Sequence, residues 1–206
     1  MNTLVTPSVQ PAHESDTPSN VTFAVIYHSN YGHTKRVAEA VAIGARQQLP
    51  ESQVKAIDIH DVDWDFVDAA DVLIFGSAVY MGSAPAAFKT FMDETSKRWY
   101  HRKWEGKWAA GFANSGGLSG DKLAVLQQIC LFAMQHGMNW IGMPLMPTGH
   151  SENDLNRLSS FLGLMTQSMN APPEETPGQG DIDTAIWFGD HVAKTVVKHQ
   201  PATIIP

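Results

Sequence analysis

The sequence predicts an α/β domain in which an open parallel sheet is covered by helices on both faces. Three features of the residue order point to it. Short apolar runs rich in β-branched and aromatic residues recur along the chain, with Val21–Tyr27 and Val72–Gly76 the clearest. Stretches of helical apolar spacing lie between them, and the two periods alternate, the order that gives parallel strands joined by right-handed crossovers.

The elements follow in turn. Val21–Tyr27 is near-continuously apolar, as a central strand covered on both sides requires. From Thr34 the period changes: Val37, Val41 and Ala45 line one side of a helix that Pro50 ends. A second strand is expected at Gln53–Ile59 and a third at Val72–Gly76, ending at Ser77. Pro85 suits the first turn of the next helix, where its missing N–H costs nothing, and Phe88, Phe91 and Met92 supply its packed face. Trp108–Ala113 is the fourth strand and Asn114–Gly120 its exit loop, with Asp121 expected to cap a helix over Lys122–His136. Met138–Ile141 reads as a short fifth strand. Residues 142–180 carry Gly and Pro at both ends, with a short helix expected over Asp154–Met165. Residues 181–199, with Ile182, Ala185, Ile186, Val192 and Val196 at helical spacing, form the last helix.

The 206 residues suit one hydrophobic core, assigned to 21–199, between a flexible polar leader over 1–20 and a tail over 200–206. The net charge is −7, and basic residues are scattered except for Lys97, Arg98, His101, Arg102 and Lys103. A surface of that kind does not track a nucleic-acid backbone; the basic cluster reads as a solvated face, with an anion or subunit contact as the alternative. The single cysteine, Cys130, sits in an apolar run and reads as a small hydrophobe, so neither a disulfide nor a thiolate metal cluster is expected. The histidines are dispersed and no metal site is assigned. No signal or membrane-spanning pattern is evident, and a cytoplasmic location is expected.

In open α/β sheets, ligands collect beyond the carboxyl ends of the strands where strand order reverses. The loops 28–33, 77–84 and 114–120 therefore hold the chemistry. Ser29, Asn30, Tyr31, Gly32, His33 and Thr34 join a buried strand directly to a helix, offering hydroxyls and unpaired N–H groups suited to a phosphate. The competing reading is a capped helix start with Thr34 as cap and no ligand. A dinucleotide fingerprint would need closely spaced glycines and a triphosphate loop Gly-Lys-Ser/Thr; here there is one glycine, and Lys35 follows the threonine. A monophosphate fits better.

With these loops in place the chain resembles the flavodoxin-like NAD(P)H-dependent flavin and quinone reductases, nearest to the WrbA-like branch. The similarity spans Val21 to Lys198. Tyr27–Thr34 resembles the family's FMN-phosphate segment; Gly76-Ser77-Ala78-Val79-Tyr80-Met81-Gly82 resembles the loop along one side of the isoalloxazine ring; Asn114-Ser115-Gly116-Gly117-Leu118-Ser119-Gly120 resembles the second ring loop; and Gln135-His136-Gly137-Met138 resembles the His-Gly-Met segment near the pocket. The resemblance implies a three-layer sandwich with a five-stranded parallel sheet of order 2-1-3-4-5. It also implies FMN as cofactor, NADH or NADPH as electron donor, and a homodimer or homotetramer in which Trp99 reaches a neighbouring flavin pocket. The branch carries Pro-Thr-Arg-Phe in the first ring loop where this chain has Ala78-Val79-Tyr80-Met81, which removes a fixed charge that would steer an anionic substrate.

The implied chemistry is transfer of reducing equivalents from NADH or NADPH to a quinone or free flavin. Tyr80, Trp99 and His136 are assigned to the substrate pocket, His136 as the residue orienting the acceptor; a helix-end histidine is the equal alternative. Two other functional classes remain beside the reductase: an electron carrier of the flavodoxin kind, and a non-enzymatic interaction module that has kept the fold.

Overall fold

The computed structural model describes residues 20–200; the expected leader and tail lie outside the described residues except at their inner ends. Strands β1 (Phe23–Tyr27), β2 (Val54–Asp58), β3 (Val72–Ala78) and β4 (Trp108–Ser115) are joined by α1 (His33–Ala45), α2 (Trp64–Ala69), and the pair α3 (Ala86–Glu94) and α4 (Ser96–Tyr100). Then come α5 (Lys122–Gln135), β5 (Asn139–Trp140), β6 (Leu164–Gln167) and α6 (Gln179–Lys198). All pairings are parallel and the order is β2-β1-β3-β4-β5, the expected 2-1-3-4-5.

The fifth position is split. β5 pairs only with Trp108 and Ala109, while β6 pairs farther along the same strand with Phe112–Ser115. Between them the chain leaves the sheet at Gly142 and Pro144 and returns at Gly163. Two bonds close the excursion: Trp140 Nε1 donates to the Leu162 carbonyl at 2.8 Å and Met143 N–H to that of Phe161 at 2.9 Å.

The helix expected over Asp154–Met165 does not form. Turns occupy its first half and β6 its end. Asn156 and Ser159 have φ of 44° and 53°, and the Asn156 side chain bonds the carbonyls of Leu145 and Ser160 and the Ser160 N–H. These local side-chain bonds displace the helical ones. Two further departures are small. α2, absent from the sequence reading, is capped by Asp63, whose carboxylate accepts from Phe66 N–H at 3.1 Å. Asp121 stands at the start of α5 with φ 54° but makes no side-chain cap bond.

Alternation along the strands builds two cores. Phe23, Val25, Val72, Ile74, Ala110 and Phe112 face α1 and α6; Ala24, Ile26, Leu73, Phe75, Ala109 and Ala113 face α2, α3 and α5. The first core depends on two glycines: a Cβ on Gly44 would lie 1.9 Å from the Ile186 carbonyl oxygen, and one on Gly189 would lie 1.9 Å from that of Val41. In the second, Trp104 is fully buried and donates from Nε1 to Asp68.

Candidate functional site

At the carboxyl ends of the strands, where the order reverses between β1 and β3, a cavity of about 230 Å³ opens. Ser29, Asn30, Tyr31, His33 and Thr34 line it from the first loop, Ala78, Val79 and Tyr80 from the second, and Asn114, Ser115 and Gly116 from the third. A fourth wall, Ser168, Met169 and Asn170, follows β6. The sequence reading assigned no residue in that wall: it depends on β6 pairing with β4, and no local motif announces it.

In the first loop Gly32 turns the chain with φ 89°, and the Ser29 hydroxyl accepts its N–H at 3.1 Å. Among the described residues, the N–H groups of Asn30, Tyr31, His33 and Thr34 donate to no protein acceptor. They stand at the positive end of the 13-residue helix α1. No lysine or arginine lines the cavity: Lys35 pairs with Glu39 on the surface and Arg36 donates to the carbonyls of Pro173 and Pro177. The donor set is therefore neutral and directional, as a phosphate held by a helix start requires. His33 Nε2 donates to the Ala171 carbonyl at 2.8 Å, tying this loop to the fourth wall.

The second loop leaves β3 and closes as a tight hairpin, with Tyr80 N–H donating to the Ser83 carbonyl at 2.9 Å and Ser83 N–H returning to that of Tyr80 at 3.1 Å. Met81 and Gly82 both have positive φ, 49° and 77°, the geometry of a primed turn. Burial raises the Tyr80 phenol above its ordinary 10, partly offset by the nearby Asn30 side chain, so the group stays protonated near neutral pH. In the third loop Asn114 Oδ1 accepts from the hydroxyls of Thr166 (2.8 Å) and Ser168 (2.9 Å), which leaves its amide N–H groups for the cavity it lines.

The other expected residues lie elsewhere. Ser77 is buried and its hydroxyl donates to the Ala78 carbonyl; Gly32, Met81, Gly82, Gly117, Leu118 and Gly120 belong to the loops without lining the cavity. Trp99 and His136 are brought together, but in a second cavity of about 420 Å³ between α3, α4 and α5, apart from Tyr80. His136 is buried against Trp104, ring centroids 4.6 Å apart, with Nε2 2.9 Å from the Thr95 hydroxyl. That hydroxyl spends its one proton on the Met92 carbonyl at 2.7 Å, so His136 carries its proton on Nε2. Burial, then the nearby Arg102, push its pKa down to about 4.

The basic cluster is partly internal. Arg98 lies over the Trp64 ring and joins Lys103 on Asp68, while Arg102 pairs with Glu105. Cys130 is half-buried and its thiol is raised by burial, which makes it a poor nucleophile. Among the described residues, no cluster of three or more His, Cys, Asp or Glu has metal-site geometry, and no helix is long and apolar enough to cross a membrane.

Residues 65–151 match the family model described as NADPH-dependent FMN reductase. The chain is 39% identical over 173 residues to flavodoxin FldP of Pseudomonas aeruginosa, covering 82% of this chain and 94% of that one. It is 28% identical over 192 residues to an NAD(P)H dehydrogenase (quinone) of Syntrophus aciditrophicus, with coverage of 82% and 94%. A crystal structure of a flavodoxin, WrbA-like protein from Agrobacterium tumefaciens superposes with a TM-score of 0.67 at 35% identity, over 88% of this chain and 100% of that one. With the reversed-order sheet, the donor-lined cavity and these similarities together, the chain belongs to the flavodoxin-like family of FMN-binding oxidoreductases that pass electrons from NAD(P)H to flavin or quinone acceptors.

Proposed function

We propose that this chain holds FMN in the four-walled cavity and reduces a quinone or free flavin with NADH or NADPH. The observation that carries the reading is the row of unspent N–H donors at the start of α1, opening into a cavity at the point of strand reversal. In this reading Ser29, Asn30, Tyr31, Gly32, His33 and Thr34 hold the phosphate. Ser77–Gly82 border the ring on one side and Asn114–Gly117 with Leu118 and Gly120 on the other, while Ser168–Asn170 close the cavity. Bound FMN would supply the redox chemistry, accepting hydride from the nicotinamide. The protein's own work is placement: Asn30 of the phosphate loop and Tyr80 of the ring loop line the same cavity, and the neutral donors give the phosphate direction without a salt bridge.

Trp99 lines a cavity that Tyr80 does not reach and is exposed at its rim, which supports a homodimer or homotetramer in which it meets a neighbouring subunit's flavin cavity. The test is titration of the apoprotein with FMN, followed by steady-state NADH and NADPH oxidation with a quinone and with added FMN. A folded, FMN-loaded protein inert toward both donors across a broad acceptor panel would refute the reductase. The similarity to a protein named flavodoxin favours a second reading, an electron carrier. Reduction by a partner protein, with one-electron steps in anaerobic titration and no direct NAD(P)H turnover, would select the carrier.

A further inference from the structure

Behind the third loop lies a lysine in an expensive place. Lys122 is 0% exposed and is the first residue of α5, where the helix dipole disfavours a cation. Among the described residues no carboxylate pairs with it directly. Its ammonium instead donates to the Ser115 hydroxyl at 2.9 Å and the Gly117 carbonyl at 2.6 Å. Burial is the main influence and brings its pKa down to about 8; Asp181 favours the charge and Arg157 opposes it. An apolar side chain would fill this space without either cost, so packing alone does not account for a lysine.

The neighbouring bonds show what the ammonium does. The Ser115 carbonyl accepts from Ser168 N–H at 2.9 Å, the Gly116 carbonyl from Gln167 Nε2 at 3.0 Å, and the Gly117 carbonyl from Lys122. Arg157 donates to Gln167 Oε1 at 3.2 Å, which turns that amide's nitrogen toward the loop. Arg157 is itself held by Asp181 at 2.8 and 3.0 Å, and Asp181 also accepts Gln167 N–H at 2.7 Å. Three successive carbonyls are thus drawn onto protein donors. Because a trans peptide points its N–H opposite to its C=O, the N–H groups of Gly116, Gly117 and Leu118 are turned the other way, and among the described residues none donates to a protein acceptor.

We propose that Lys122 is a positioning residue for the flavin: with Gln167 it draws in the carbonyls of Gly116 and Gly117, so that this stretch of the third loop turns its N–H groups, and not its carbonyls, toward the isoalloxazine. This rests on the FMN reading above. N–H groups so turned favour the reduced ring, which carries more negative charge, over the oxidised one.

The test is FMN binding and the two-electron midpoint potential of the wild type and of Lys122→Met. The variant is expected to bind oxidised FMN about tenfold more weakly and reduced FMN about a hundredfold more weakly, and that tenfold difference lowers the potential by about 30 mV. A merely structural lysine would lower thermal stability and leave the potential unmoved. Binding within twofold of wild type at an unchanged potential overturns the proposal while the FMN reading stands; a wild-type apoprotein that binds no FMN overturns both. Should Lys122→Met not fold, the wild type decides. Its FMN dissociation constant is expected to rise severalfold from about pH 7 to about pH 9 as Lys122 loses its proton, with Asp181 and Arg157 the charged groups facing it. A flat profile overturns the proposal.

Discussion

Replacing His136 with leucine should remove a large part of the protein's loss of stability in mild acid. In the folded chain the Nε2 proton is committed to Thr95, and Nδ1 is buried with no partner. A second proton would therefore sit in an apolar pocket without an acceptor, near Arg102. The folded pKa is about 4 against an ordinary 6.5. Between these values the unfolded chain binds a proton that the folded one refuses, so stability rises with pH across the window and falls on acidification. The full shift corresponds to about 3 kcal/mol, of which about 2 kcal/mol is lost between about pH 7 and about pH 5. Urea unfolding of wild type and His136→Leu at a series of pH values isolates the term. His28 and His191, also lowered by burial, titrate in both proteins and cancel in the comparison. The variant starts less stable, having lost the bond to Thr95, but should be flatter by about 2 kcal/mol over that range. Parallel curves would show that His136 is accessible to protons in the folded state and that the buried geometry is wrong.

Three other substitutions probe the frame around the cavity. Arg157→Met leaves the Asp181 carboxylate, whose side chain is only 3% exposed, without its bidentate partner; about 3–5 kcal/mol should be lost in chemical denaturation, and a loss under about 1 kcal/mol would mean that water reaches the pair. Gly189→Ala puts a methyl 1.9 Å from the Val41 carbonyl oxygen where α1 crosses α6, so a cost of about 1–3 kcal/mol is expected, read as a fall in Tm; an unchanged Tm would contradict the close helix approach. Gly120 has φ 51°, and a Cβ there would lie 2.0 Å from the Ser115 hydroxyl that Lys122 holds. Gly120→Ala should weaken FMN binding roughly tenfold for about 1–3 kcal/mol of backbone strain, and wild-type affinity would show that the third loop tolerates rearrangement.

The alternation of strands and helices, the segments of the first four strands and the loops in which function is sought are all readable from the order of residues. Each is a local property: near-continuous apolar runs such as Val21–Tyr27 have only one way to be buried on both faces, and Ser29–Thr34 carries its donors within six residues. The rest depends on long-range packing. The fifth strand position is shared by β5 and β6 because β4 offers one free edge to two segments 23 residues apart, and neither segment signals alone which part of that edge it takes. Ser168–Asn170 reach the cavity through that pairing, Trp99 and His136 gather in a separate cavity because α3, α4 and α5 pack together, and Lys122 feels Asp181 and Arg157 only because the fold brings them near the third loop. Contacts between residues far apart in the chain have no local period to announce them, and it is those contacts that set burial, proton position and the direction in which each donor points.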